Sequence, residues 1–272
     1  MKTISKKNKS ILSLVIAGLI VVFGGTTSTI HFLGQSHTFQ VLTKTNKVSD
    51  TPSKEKSQSI IENVKSQTHG NKFVYDNGSW IIDNNQNNLT AKNSMQQFAS
   101  NTVDNLDRPQ TATAFLTRNA RQYKKREETN NGATNWVPLG YHQIKDLPGR
   151  YHYAYNRGHL LGYALVGNIQ GFDASESNPK NIITQTSWAN QANSPTSKGQ
   201  NYYESLVRKA LDRNKKVMYQ VTPLYIDNNP VASAVWIKAK STDNTLNINV
   251  LVPNVQANLH INYASGFCNK DV

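Results

Sequence analysis

Tyr155-Asn156-Arg157-Gly158-His159-Leu160-Leu161-Gly162-Tyr163 places a histidine behind an arginine and a glycine and ahead of an apolar run. Histidine changes charge near neutral pH, which suits it to take a proton from water. Gly158 has no Cβ, so the backbone can turn or pass closely beside the imidazole. Downstream, in order, come Asn181, Asn190 and Glu204. Each alone has a plainer reading. A lone histidine is usually structural or exposed, Asn190 suits a helix cap, and Glu204 pairs at i,i+4 with Arg208 on a helix face. Their residue types are compatible with metal-assisted hydrolysis, but by themselves they do not single it out. Mg²⁺ keeps several waters and needs few protein ligands. One neutral oxygen from Asn190 is then enough, with Glu204 holding a metal-bound water.

Outward from this stretch the patterns alternate between strand and helix. Tyr151 to Tyr155 reads as a strand leading into the motif, and Asn181 to Gln185 as a second strand. Trp188 to Ala192 opens a helical part. Thr196 to Arg213 is the clearest helix, with Tyr203, Leu206, Val207, Ala210 and Leu211 on one face. Three strands follow, over Val217 to Leu224, Val231 to Ala239 and Leu246 to Pro253, separated by turn chemistry. Upstream, Phe73 to Ile82 reads as a hairpin with an Asn77-Gly78 turn. Asn84 to Asn88 reads as a loop. Ala112 to Tyr123 suggests a helix, or a helix passing into a strand, ending in the basic run Arg121, Lys124, Lys125 and Arg126. Trp136 reads as a packing anchor. These patterns predict an α+β fold with a central antiparallel or mixed sheet.

The N-terminus carries Lys2, Lys6, Lys7 and Lys9 and then an apolar stretch from Ile11 to Leu33. This pattern is a secretory address, just long enough to serve as a membrane span. The lysines would hold its N-terminal end in the cytoplasm. Residues 1–33 are therefore expected to be a signal or hydrophobic anchor, 34–72 a polar linker with a short helix near Ser59 to Val64, and 73–272 the folded domain. The formal net charge is +13, and without those four lysines 26 basic residues still face 17 acidic ones. A basic body without a base-reading module fits phosphate-dominated, sequence-tolerant binding. The single cysteine, Cys268, rules out an internal disulfide. The sequence holds no internal repeat, P-loop, CxxC or HExxH pattern.

Five segments together resemble the DNA/RNA non-specific endonucleases of the ββα-metal (His-Me finger) class. They are Arg121-Gln122-Tyr123-Lys124, Arg157 to Leu165, Gly171 to Ser175, Ser177 to Asn181 and Gly199 to Ser205. The likeness spans about Ala112 to Gln256, and it is greatest to the family's membrane-bound, DNA-uptake branch. It implies a ββα-metal motif with His159 as general base, and Arg126, Glu204 and Asn181 as further catalytic residues. It implies Asn190 as metal ligand, with Glu204 and Asn156 acting through water. Arg126, Lys125, Arg157, Arg208 and Lys209 are the expected substrate contacts. Mg²⁺ is the expected cofactor, with Mn²⁺ as the alternative. The expected substrates are double- and single-stranded DNA, and RNA, cut to 5′-phosphate ends. A membrane contact through the N-terminal segment and DNA-uptake machinery are the expected partners. The expected location is the cell membrane, single-pass with the nuclease domain outside, or the medium if the segment is cleaved. Two positions depart from the family: Asn156 replaces its aspartate, and Glu127 stands where a second basic residue is common. The competing expectation is a DNA receptor that binds without cutting.

Overall fold

The computed structural model describes residues 49–132 and 134–271, and the backbone of residues 21–24, 27–32 and 35–39. The chain forms two units, Met1–Lys47 and Val48–Val272. In the first, β1 (Val21–Gly24), β2 (Thr27–Phe32) and β3 (Gln35–Phe39) pair antiparallel. Much of the anchor expected over residues 1–33 lies outside the described residues. Among those described, no helix is long and apolar enough to cross a membrane.

The second unit begins earlier than composition suggests. Helix α1 (Lys54–Val64) lies in the expected linker, capped by Ser53, whose hydroxyl accepts from Lys56 N at 3.2 Å. It contains the short helix expected near Ser59 to Val64 and begins five residues earlier, where Lys54 to Gln58 give no apolar signal; Ile60, Ile61 and Val64 supply its apolar stripe. Ile61 and Val64 are fully buried against Trp80, Ile82, Leu224 and Leu251. Burial at that depth contributes about 1.5–3 kcal/mol per side chain. The hairpin of β4 (Phe73–Asp76) and β5 (Ser79–Ile82) follows. Its turn residues have φ of 52° at Asn77 and 101° at Gly78, both positive as a type I′ turn requires.

Next come β6 (Phe98–Ser100) and β7 (Ala112–Leu116). The latter is a strand from its first residue, where a helix, or a helix passing into a strand, was expected. Ala112, Ala114 and Leu116 alternate onto one core face, a period of two that the neighbouring Phe115 obscures. The ribbon of β8 (Tyr155–His159) and β9 (Ile182–Thr186) encloses the short helix α2 (Tyr163–Val166) in its long connection and runs into α3 (Ser187–Gln191). The motif is thus itself the first strand, where the expected strand ran only up to Tyr155. Asn193–Ser194 (β10) and Ser197–Lys198 (β11) form a small ribbon where the start of a helix was expected, with Pro195 in its turn. Helix α4 accordingly spans Gln200–Asp212. Then come β12 (Val217–Leu224), β13 (Ala234–Ser241), β14 (Asn247–Pro253), and the terminal ribbon of β15 (Leu259–Ile261) and β16 (Cys268–Lys270).

Seven strands form one sheet in the order β4-β5-β14-β13-β12-β7-β6, every neighbour antiparallel. The mixed alternative is therefore excluded for this sheet. On one face, Val207 and Leu211 of α4 are buried with Val217, Tyr219, Val235, Ile237 and Val250. On the other lies α1. Two buried amides join the β8–β9 ribbon to the region beyond β14. Asn254 accepts from Thr186 N at 2.7 Å and donates to Thr184 O at 3.0 Å, and Gln256 accepts from Trp188 N at 3.0 Å. The ribbon and α3 are thus held as one piece on the sheet.

Candidate active site

Strand β8 points Arg157 and His159 to the same side, because side chains alternate along a strand. Helix α3 brings Asn190 and Gln191 beside them, and the first turns of α4 bring Asn201 and Glu204. These residues line a cleft of about 340 Å³ with Arg126, Gly162, Tyr163, Ala164 and Glu176.

His159 is 8 % exposed, and its Nε2 accepts from the Arg126 guanidinium at 3.1 Å. Guanidinium has no acceptor, so that ring nitrogen carries a lone pair and the imidazole is neutral. Burial, and then the adjacent Arg126 charge, pull its pKa from 6.5 down to about 3, against the carbonyls of Ala174 and Arg157. Arg126 also donates to Ala174 O at 3.1 Å, lies 3.6 Å from Glu176, and stacks over Tyr163 at 4.5 Å. Its planar fork is therefore held on these protein groups in the free site.

Glu204 is held by two neighbours on its own helix. Gln200 donates to it at 3.0 Å and Arg208 at 3.3 Å. Burial raises its pKa, while Arg208 and Gln200 act in the opposite direction. Gln200 also donates to the carbonyl of His159 and accepts from Gln185 at 3.1 Å. One buried amide thus ties the histidine strand to the carboxylate. Gly162 permits the approach, since a Cβ there would lie 2.7 Å from Glu204 Oε2. Gly158 does the same against Gln185, whose Oε1 would lie 2.2 Å from an added Cβ.

Of the residues expected in the site, the cleft brings together Arg126, Arg157, His159, Asn190 and Glu204. It does not bring in Asn181, Asn156, Lys125, Arg208 or Lys209. Asn181 is fully buried, and its amide both accepts from Leu161 N and donates to Leu161 O, each at 3.0 Å. With both ends occupied it holds the turn after His159 and does not reach substrate. Asn156 points away from His159, three residues along the strand, and accepts from Ser187 Oγ at 3.1 Å in the first turn of α3. Its contact is with the helix that carries Asn190. Lys125 and Lys209 are exposed outside the lining. Arg208 spends its guanidinium on Glu204 and on Asn201, the latter at 2.7 Å. Arg157 lines the cleft but also donates to Trp136 O at 2.7 Å and Thr134 O at 2.9 Å. Glu176, Gln200 and Asn201 were not anticipated. Glu176 sits between two of the resembling segments, and Gln200 and Asn201 lie inside a third, so position alone pointed to them.

The donor set suits a hard, water-keeping cation. The cleft offers the Asn190 amide oxygen and the carboxylates of Glu204 and Glu176. Among the described residues no group of three His, Cys, Asp or Glu side chains could hold a metal ion. Such a set fits few direct protein ligands with water completing the shell, and lacks the nitrogen and sulfur donors of a closed zinc site.

A sequence model of the DNA/RNA non-specific endonucleases matches residues 78–269. Among solved structures, NucA from Streptococcus agalactiae with magnesium ion bound is 46% identical. That match covers 80% of this chain and 98% of the other, with a TM-score of 0.74. The same protein with no metal bound gives 44% identity, 80% and 97% coverage, and a TM-score of 0.72. A family match over most of the folded unit, agreement of fold across nearly all of a solved nuclease, and a histidine–arginine cleft at the end of a ββα ribbon lead to one conclusion: this chain belongs to the DNA/RNA non-specific endonuclease family and is a nuclease.

Proposed function

We propose that the chain is an extracytoplasmic, metal-dependent endonuclease that cuts DNA, and RNA where it meets it, to 5′-phosphate ends. The observation that carries the reading is the neutral His159, held at its Nε2 by Arg126 in a cleft shared with Asn190 and Glu204. Arg126 carries its charge at the point where a phosphate would sit. Once its guanidinium turns to the phosphate, His159 Nε2 is released to take a proton from water. Arg126 then faces the negative charge that builds on the phosphoryl oxygens. Asn190 would hold Mg²⁺, with Glu204 on a coordinated water. When bound there, the ion neutralises phosphate charge and that of the leaving 3′ oxygen. The magnesium-bound NucA supports this choice of ion. The basic and apolar N-terminal residues support export and a membrane anchor, and the resemblance to the DNA-uptake branch supports a role in uptake.

The test is plasmid cleavage by purified protein with Mg²⁺ and with EDTA. Nicking and linearisation with Mg²⁺, none with EDTA, and loss of at least about 100-fold in His159→Ala are expected. A wild type that binds plasmid but leaves it intact at all Mg²⁺ concentrations would replace the enzyme with a receptor.

A further inference from the structure

A second cavity, of about 320 Å³, lies on the sheet face away from α4, beside the end of α1. Strand alternation places Trp236 and Lys238 there, because Val235, Ile237 and Ala239 pack on the catalytic side. We propose that this cavity binds a small phosphorylated ligand, with the Lys238 ammonium as its anion contact. The inference is independent of the nuclease reading.

Lys238 is only 6 % exposed. Its Nζ lies 4.1 Å from the Trp236 ring and 3.4 Å from Asn88 Oδ1, and it joins no ion pair among the described residues. Burying an ammonium without a counter-charge is costly, and burial alone lowers its pKa. An incoming anion would relieve that cost. The one carboxylate in the lining is already engaged: Asp83 accepts from Asn71 N at 3.1 Å and Lys72 N at 2.8 Å. Other polar groups are engaged as well. Asn87 donates to Ala239 O and Ile248 O, both at 3.0 Å, and Asn249 accepts from Trp236 Nε1 at 2.7 Å. The groups left to meet a ligand are the Lys238 ammonium, the His69 ring and the side-chain amides of Gln86 and Asn88, a set rich in donors. The volume sits at the lower end of small-molecule pockets, about 300–1,000 Å³. It exceeds a bare ion and suits a phosphate attached to a sugar, with the indole as its wall.

The phosphate could come from a nucleic-acid strand end or from free inorganic phosphate, and calorimetry in EDTA separates the two. Wild type and Lys238→Met are titrated with sodium phosphate, with a 5′-phosphorylated dinucleotide and with the same dinucleotide unphosphorylated. Because the catalytic cleft is common to both proteins, their difference reads this cavity. A phosphorylated titrant should bind at least tenfold more weakly to Lys238→Met, whose Mg²⁺-dependent plasmid cleavage stays at the wild-type rate. A response to sodium phosphate assigns free phosphate, and a response to the phosphorylated dinucleotide alone assigns a strand end. Equal binding by both proteins, or equal binding of the unphosphorylated dinucleotide, overturns the proposal. If circular dichroism shows that Lys238→Met does not fold, the indole N–H resonance of Trp236 in wild type decides. It moves on titration with phosphate or with the phosphorylated dinucleotide if the site exists, and stays fixed with both if it does not.

Discussion

His159 couples activity and stability. In the fold its pKa lies at about 3 against an ordinary 6.5, so between those values the unfolded chain binds a proton that the folded chain excludes. The stability associated with keeping it neutral is fully present above pH 6.5 and is lost as pH falls toward 3. Glu204, with its raised pKa, acts in the opposite sense, so the comparison must be between proteins that differ only at position 159. His159→Asn should show a flatter dependence of urea midpoint on pH between 6.5 and 4. Identical slopes would mean that the wild-type imidazole is not held neutral. The histidine, Asn190 and Glu204 could be named as cleft candidates because their identities and order suit the chemistry, and Arg126 only through the family resemblance. Asn181 could not be placed correctly. Whether an amide faces a cleft or closes on Leu161 depends on which backbone groups its own fold leaves unpaired. Gln200 was missed for the same reason, since its partners, the His159 carbonyl and Gln185, come from other elements.

At the scale of elements, the site is two rigid pieces, the β8–β9–α3 unit and α4, meeting where Gly162 passes Glu204. Gly162→Ala should push the carboxylate aside with no backbone penalty, since its φ of −65° is ordinary. We expect cleavage to fall at least about 10-fold with a melting temperature close to wild type. A drop in melting temperature accompanied by normal cleavage would show that Glu204 is not the group displaced. Asn156 acts on the other piece. Aspartate there would place a negative charge at the first turn of α3, the helix that presents Asn190. Asn156→Asp should move the rate-against-Mg²⁺ curve to lower concentration, by about 10-fold if the position behaves as an outer partner of a metal site. A superimposable curve would make residue 156 a neutral tether for Ser187. Strands β12 and β14 and helix α4 were legible because their apolar periods are long and undiluted, and the hairpin because Asn77-Gly78 marks its turn. Strand β7 was not, having too few residues to separate period two from 3.6; of helix α1 only the stretch near Ser59 to Val64 was expected, because its packing rests on three side chains that meet a sheet formed far along the chain.

For the whole molecule, the excess of basic residues sets how binding responds to salt. Arg126→Ala should weaken binding to unrelated DNA sequences equally and reduce the slope of log affinity against log salt by about one. Arg208→Ala, with its guanidinium already committed to Glu204 and Asn201, should leave that slope unchanged and lower the cleavage rate instead. Filter binding from low to high salt distinguishes the two, and a slope change for Arg208→Ala would return it to the phosphate contacts. The sheet order has a further consequence. Strand β5 pairs with β14, Trp80 opposite Leu251 and Ile81 opposite Val250, although the two strands lie at opposite ends of the folded unit. The β4–β5 hairpin and α1 therefore emerge from the ribosome with only each other to pack on until β14 has followed them. Closing so long a loop before its contacts form is slow. A chain arrested before residue 247 lacks β14 and leaves the β4–β5 hairpin unjoined to the rest of the sheet.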